Sequence, residues 1–225
     1  MEPFILVNFK TYLESTGIRA VELSRKIEQV SKKTNVKLGV APQFCDIERV
    51  ARSVSLPVFS QHLDPVTPGA FTGHVLAASL KEAGAAGTII NHSERMLRLH
   101  DIEIVIGKAR EAGLMTVVCA GTAALAASAA LLEPDMVAIE PPELIGSGRA
   151  VSKEKPEIVS DSVAKIRSVN GKVRVLCGAG ISSGEDVYAA LKLGAEGVLV
   201  ASGIVKAADP ESVLMDFCQA VRRIM

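Results

Sequence analysis

The apolar residues of this chain gather into eight short runs rich in Val, Ile and Leu, at positions 4–8, 36–41, 58–61, 87–91, 115–119, 136–140, 173–177 and 197–200. The runs are mostly continuously apolar rather than alternating, as expected of parallel strands buried on both faces. Between them lie stretches with helical spacing, at 18–31, 103–112, 155–169, 184–193 and 210–224. Gly113 and Gly194 stand where a helix C-terminal cap belongs, each just ahead of the next apolar run. Eight strand–helix alternations in 225 residues give about 28 residues per unit, which suits a compact (β/α)₈ barrel formed by residues 1–225 as a single domain.

An open, doubly wound sheet would show the same local pattern. It would also carry a Gly-rich G-x-G-x-x-G turn after its first strand, where this chain runs instead into Asn8-Phe9-Lys10. No solenoid repeat or low-complexity linker divides the chain.

Composition narrows the classes of function. The 25 basic and 25 acidic side chains balance, and no run of like charge forms a basic arm or acidic tail, so nucleic acid is a poor partner. The amino terminus has an acidic second residue and too short an apolar run for a signal peptide, and no later segment reaches membrane-span length. A soluble cytoplasmic protein without membrane partners is expected. Cys45, Cys119, Cys177 and Cys218 are widely spaced, with no C-x-x-C pair and no His at ligand spacing, so neither a zinc site nor a disulfide framework is indicated.

In a (β/α)₈ barrel the active site lies at the C-terminal ends of the strands, which makes the residues closing each run the ones to weigh. They are unusually polar. Asn8 and Lys10 follow the first run, Gln61 closes the third, Asn91 and His92 the fourth and Glu140 the sixth, and glycine-rich turns follow the seventh and eighth. One polar strand end is ordinary loop chemistry; six polar residues at four strand ends converging on one rim are a candidate site. Pro141 holds Glu140 in extended geometry at its strand end. The stiff Pro141-Pro142 pair and the flexible Gly146-Ser147-Gly148 then bracket a segment with two hinges, as a lid requires.

These motifs resemble the triosephosphate isomerase family, and they do so in order from the first strand to the last. The resemblance is carried by Asn8-Phe9-Lys10, by Asn91-His92-Ser93-Glu94-Arg95, by Glu140 to Arg149, by Cys177-Gly178-Ala179-Gly180 and by Leu199-Val200-Ala201-Ser202. Glu143 stands where bacterial and eukaryotic members usually have Trp, Ser147 and Arg149 replace Thr and Lys, and the fifth unit is short. In these respects the chain looks like the short, archaeal members.

The resemblance implies a TIM barrel that interconverts dihydroxyacetone phosphate and D-glyceraldehyde 3-phosphate through an enediolate, a step of glycolysis and gluconeogenesis, with no metal or cofactor. It places Glu140 as the base, His92 as the electrophile and Lys10, steadied by Asn8, as the fixed positive charge. A carboxylate that loses water beneath a lid gains basicity. Ser93-Glu94-Arg95 reads as a helix start, whose dipole would keep His92 neutral; this family is itself the standard example of a neutral histidine electrophile beside a glutamate base, so that logic is carried over with the resemblance. Substrate contacts fall by resemblance to Asn8, Phe9 and Lys10. Phosphate capture falls to backbone N–H groups at Ile145, Gly146, Gly180, Ala201 and Ser202. Glu94 and Gln61 support the site from behind. Residues 61–75 form the longest connection without helical pattern, and long structureless loops usually have a function. In the family this loop reaches a neighbouring subunit, with Thr72 bracing the partner's site, so a homo-oligomer is expected, with a tetramer favoured over a dimer.

Two rivals remain at this point: another phosphate-binding barrel, such as ribulose-phosphate epimerase or a tryptophan-pathway barrel, and a non-catalytic sugar-phosphate binder that has kept the fold. The first needs metal ligands or a different acid–base pair, and the rim offers no metal cluster. The second predicts loss of Glu140, His92 or Lys10, and all three are present.

Overall fold

A computed structural model describes residues 2–146 and 148–224. All eight predicted strands form: β1 (Phe4–Asn8), β2 (Lys37–Ala41), β3 (Phe59–Ser60), β4 (Gly87–Ile90), β5 (Met115–Ala120), β6 (Met136–Ile139), β7 (Arg174–Cys177) and β8 (Gly197–Val200). They pair in parallel in the order β2-β1-β8-β7-β6-β5-β4-β3, and a parallel bridge from Val40 to Val58 brings β2 to β3 and closes the ring. The architecture is the expected (β/α)₈ barrel.

The helices between the strands are α1 (Ile18–Thr34), α2 (Ile47–Ala51), α3 (Ala77–Glu82), α4 (Leu99–Glu111), α5 (Ala123–Leu131) and α6 (Val151–Glu154). They continue with α7 (Pro156–Val169), α8 (Gly184–Lys192), α9 (Ser202–Val205) and α10 (Pro210–Arg222). None among the described residues is long and apolar enough to cross a membrane.

The core has two layers. Phe4 and Leu6 of β1 share the barrel interior with Phe59, Ile89, Val117, Met136, Leu176 and Leu199. Ile5 and Val7 face outward, where they join the apolar faces of the helices. Successive residues of a strand thus alternate between two apolar environments, which is why the sequence shows unbroken runs.

Several boundaries differ from the sequence pattern for reasons that bear on the site. β4 stops at Ile90 because Asn91 takes a left-handed conformation, φ 59°, which cannot continue a strand. β6 stops at Ile139, although the Glu140 N–H still donates to the Ala120 carbonyl at 2.9 Å. The next residue, Pro141, has no N–H to extend the ladder. The short fifth unit holds a helix after all: α5 begins at the Thr122 cap, whose hydroxyl accepts the Leu125 N–H. At the other side of the lid segment, the Ser152 hydroxyl donates to the Asp186 carbonyl and Lys153 pairs with the Asp186 carboxylate at 2.6 Å. Asp186 also completes the capping box of α8, so the chain beyond the lid is anchored to a well-capped helix.

Candidate active site

The strand ends converge as the sequence predicts. On β1, the Asn8 side-chain oxygen accepts the Lys10 N–H at 3.0 Å and fixes a tight turn in which Lys10 itself is left-handed, φ 47°. The Gln61 amide donates to the Lys10 carbonyl and to the Ala41 carbonyl, both at 2.9 Å, so it holds the same turn from below. The Lys10 ammonium lies 2.7 Å from a Glu94 carboxylate oxygen, Oε1. Gln61 and Glu94 thus both contact Lys10, one through its carbonyl and the other through its ammonium.

On the β4 side, Asn91 brackets the loop that carries His92. Its amide donates to the Cys119 carbonyl at 3.0 Å and its oxygen accepts the Leu97 N–H at 2.9 Å. His92 is buried, and its Nδ1 accepts the Glu94 N–H at 3.1 Å. An imidazole that accepts through Nδ1 carries its proton on Nε2, and here Nε2 faces Glu140. The local reason offered by the sequence is corrected: residues 93–95 form a turn, and α4 begins only at Leu99, so no helix N-terminus follows His92 directly. The Glu94 N–H, rather than a helix start, orients the imidazole.

Glu140 is 7% exposed, and its Oε2 is buried without a hydrogen-bond partner among the described residues. His92 Nε2 lies 3.5 Å from that oxygen, with no hydrogen bond formed between them. Burial raises the Glu140 carboxyl above its ordinary range, against the opposing pull of His92, Cys119 and Lys10. The same burial, together with the nearby Glu140 charge, pushes the Cys119 thiol well up, so that cysteine is a neutral neighbour of the carboxylate. Gly178 forms the opposite wall: a Cβ there would lie 2.5 Å from Glu140 Cγ and 2.7 Å from Oε1.

Lys10, His92 and Glu140 share one cavity of about 220 Å³ with Gly180, Ala201 and Ser202. That volume lies below the roughly 300–1,000 Å³ of drug-sized ligand sites and suits a small metabolite. Ile145 and Gly146 of the lid line it too. The lid leaves Glu140 through a 3-10 turn, Pro142–Leu144, and Gly146 and Gly148 at its far end both have positive φ, 70° and 72°. Ser147, between them, lies outside the described residues.

One expected contact needs correction. Phe9 is fully buried in the core and its N–H donates to the Ala41 carbonyl, so it does not line the cavity. The Ile145 N–H, expected to hold phosphate, donates to the Pro142 carbonyl at 3.2 Å in this lid conformation. Thr72 lies on an exposed loop outside this chain's own cavity. Conversely, Tyr12, Ile181 and Ser182 line the cavity and were not singled out, because a loop residue that contributes only a wall has no chemical signature in sequence. Gly178 was seen only as part of a turn; its role is spatial and shows once Glu140 is placed beside it.

The arrangement brings together a dehydrated carboxylate, a histidine N–H aimed at it, a fixed cation and a helix-opening turn. Such a set can move a proton at carbon next to a carbonyl while gripping an anionic tail. Comparison with known proteins agrees. The family model described as triosephosphate isomerase matches residues 3–221. The triosephosphate isomerase of Methanosarcina acetivorans is 57% identical over 219 residues, covering 97% of this chain and 99% of that protein. That of Methanocaldococcus jannaschii is 48% identical over 217 residues, covering 96% and 99%. The fold also matches a crystal structure of triosephosphate isomerase from Bartonella henselae, with TM-score 0.78 at 21% identity over 99% of this chain and 100% of that one. By the family model and these relatives, the chain belongs to the triosephosphate isomerase family.

Proposed function

We propose that this chain is a triosephosphate isomerase, interconverting dihydroxyacetone phosphate and D-glyceraldehyde 3-phosphate, and that its own rim residues divide the work as follows. The observation that carries the assignment of roles is the buried Oε2 of Glu140, unpartnered among the described residues and facing His92 Nε2 across 3.5 Å in a cavity that ends on the glycine turns. A buried polar atom without a partner is costly to a fold unless a ligand uses it.

Glu140 lifts a proton from the hydroxymethyl carbon of dihydroxyacetone phosphate. The electron pair moves toward the neighbouring carbonyl oxygen, where the Nε2–H of His92 stabilises it. Returning the proton to the other carbon, with His92 exchanging a proton between the two oxygens, yields the aldehyde. Lys10 stabilises the enediolate charge, and Asn8 and Gln61 hold Lys10 in its turn. Ser202 opens α9, where the first N–H groups have no acceptor within the helix; these, with the backbone at Gly180, face the phosphate. The lid from Pro141 to Gly148 closes over the intermediate and excludes water. Since one proton moves from carbon to carbon and one from oxygen to oxygen, with no electron lost, the chemistry balances without metal or cofactor.

The working form is a cytoplasmic homo-oligomer, with a tetramer favoured. Two surfaces support that reading. Residues 67–74 are exposed on a loop whose base is pinned by Asp64, which accepts the Val75 N–H at 2.7 Å and pairs with His62 at 3.0 Å; Phe71 on this loop is 45% exposed. The second surface is α5, a helix without a charged residue that leaves Leu125 and Leu131 exposed.

A coupled assay with glyceraldehyde 3-phosphate in the presence of a chelator tests the proposal. Turnover unaffected by chelator is expected. Absence of turnover refutes isomerase activity, and chelator sensitivity points to an epimerase-like barrel.

A further inference from the structure

Past Val7, which pairs with Val200, β1 and β8 part company. Asn8 pairs with Ala41 of β2 and the Phe9 N–H donates to the Ala41 carbonyl, whereas Val200 runs on into Ala201 and the first turn of α9. The loop after β1 carries Lys10, and the turn after β8 faces the phosphate. A substrate held at both ends must match the gap between them, which the strand ladder no longer fixes.

A side-chain contact crosses this gap. The Lys206 ammonium sits over the ring of Tyr12, 4.4 Å from its centroid, well within the roughly 6 Å reach of a cation–π interaction. Tyr12 is a firm anchor. Its carbonyl accepts the Thr16 hydroxyl at 2.8 Å and the Ser15 hydroxyl at 3.2 Å, and its ring lines the cavity while packing on the core. Lys206 is exposed, so burial does not account for its placement. Its backbone N–H donates to the Ser202 carbonyl at 3.1 Å, one turn behind the residue that faces the phosphate. The contact therefore links the loop of Lys10 to the turn of Ser202.

We infer that Tyr12 and Lys206 are a positioning pair that sets the distance from Lys10 to the Ala201–Ser202 turn, and with it the affinity for the phosphorylated substrate. The inference rests on the isomerase reading of the cavity. A contact of this kind acts equally on bound substrate and transition state, because it governs the grip on the unreactive end. It should therefore appear in KM and leave kcat nearly untouched.

Lys206→Ala, Lys206→Arg, Tyr12→Leu and the double variant Tyr12→Leu/Lys206→Ala are assayed with glyceraldehyde 3-phosphate, and inorganic phosphate is used as competitive inhibitor. Isomerase activity of the unmodified enzyme checks the underlying reading separately. In an active enzyme, Lys206→Ala should raise KM and the phosphate inhibition constant together by about two- to fivefold, the strength of an exposed cation–π contact. Lys206→Arg should restore both, since guanidinium also stacks on the ring. The decisive comparison is the Tyr12→Leu background, where removing the Lys206 ammonium should have no further effect. An equal rise in both backgrounds would show that Lys206 acts only as a general positive charge, and an unchanged KM in Lys206→Ala would remove it from substrate binding. Either result overturns the inference. Circular dichroism of Tyr12→Leu guards against misfolding; if that variant fails to fold, rescue by Lys206→Arg set against failure of Lys206→Gln decides the matter.

Discussion

Gly178→Ala should disable the enzyme without touching its substrate. The added methyl carbon would lie 2.5 Å from Glu140 Cγ, 2.7 Å from Oε1 and 2.8 Å from Cδ. Ordinary carbon–carbon contact begins near 3.5 Å, so the carboxylate must retreat by about 1 Å. Its surroundings offer little room: Glu140 is 7% exposed, with Cys119 beside it and His92 across the cavity. The open direction is the cavity, where the substrate sits. A misplacement of about 1 Å in reacting groups costs on the order of 10²-fold in rate. Overpacking costs about 1–3 kcal/mol of stability, and each kcal/mol lowers Tm by roughly 2–4 °C in a chain of this size. Steady-state assay with inorganic phosphate inhibition, together with a thermal melt, separates the two effects. The expected result is kcat reduced about 100-fold, an unchanged phosphate inhibition constant and a modestly lower Tm. A variant that melts lower yet keeps kcat within about threefold of wild type would refute the claim that Gly178 places the base.

Three further outcomes are expected. Glu140→Gln should abolish proton transfer while leaving phosphate inhibition intact; because burial raises the Glu140 carboxyl in the folded state, its ionised form destabilises the fold, a cost absent below the unfolded-state pKa and fully present above the folded one. The Tm advantage of Glu140→Gln over wild type should therefore grow as pH rises through the region just above the ordinary carboxylate range, and an advantage independent of pH would contradict it. Gln61→Leu removes the donor to the Lys10 and Ala41 carbonyls and should cost about 1–3 kcal/mol in stability and about tenfold in kcat/KM; full activity would mean that Asn8 alone holds Lys10. Shortening the loop between Asp64 and Gly73 should lower the assembly state in light scattering and weaken activity together, and a fully active monomer would end the proposal that Thr72 braces a neighbour.

What the sequence made legible follows from how each feature is encoded. Strands such as β1 and β8 were placed to the residue because unbroken apolar runs and their polar terminators are compositional. The barrel interior was not legible: Leu6 faces inward and Val7 outward, yet both are aliphatic and both are buried. α5 was under-read because a helix of Ala, Leu and Ser has little amphipathic contrast, and its cap is a single Thr122 hydroxyl. Glu140, His92 and Lys10, singled out through motif order, share one cavity. Phe9 was misplaced since adjacency in a motif does not decide which way a side chain points. The helix start proposed after His92 failed because Asn91 claims the Leu97 N–H through its side chain and holds residues 92–96 in a turn, delaying α4 to Leu99.

The least legible property is strain. Among the described residues, five other than glycine have positive φ, and Lys10, Asn91 and Ala179 of these follow the ends of β1, β4 and β7. Asn tolerates that region, whereas Lys and Ala pay for it at up to about 1–3 kcal/mol each. Nothing in the identity of a lysine announces a left-handed backbone; it is imposed by the partners of its peptide groups. For Lys10 those are Asn8 Oδ1 on the N–H and the Gln61 amide on the carbonyl, reaching from the ends of two different strands. A parallel strand that simply continued would carry Lys10 up and away from the barrel axis; the reversed φ turns the chain so that Lys10 lines the cavity and its ammonium meets Glu94, whose own N–H fixes the proton of His92. The position of the Lys10 ammonium and the tautomer of His92 are thus both tied to one residue, Glu94, by its side chain in the first case and its backbone in the second. The fold accepts strain at the strand ends because that is where the direction of a side chain, rather than its burial, decides what the molecule can do.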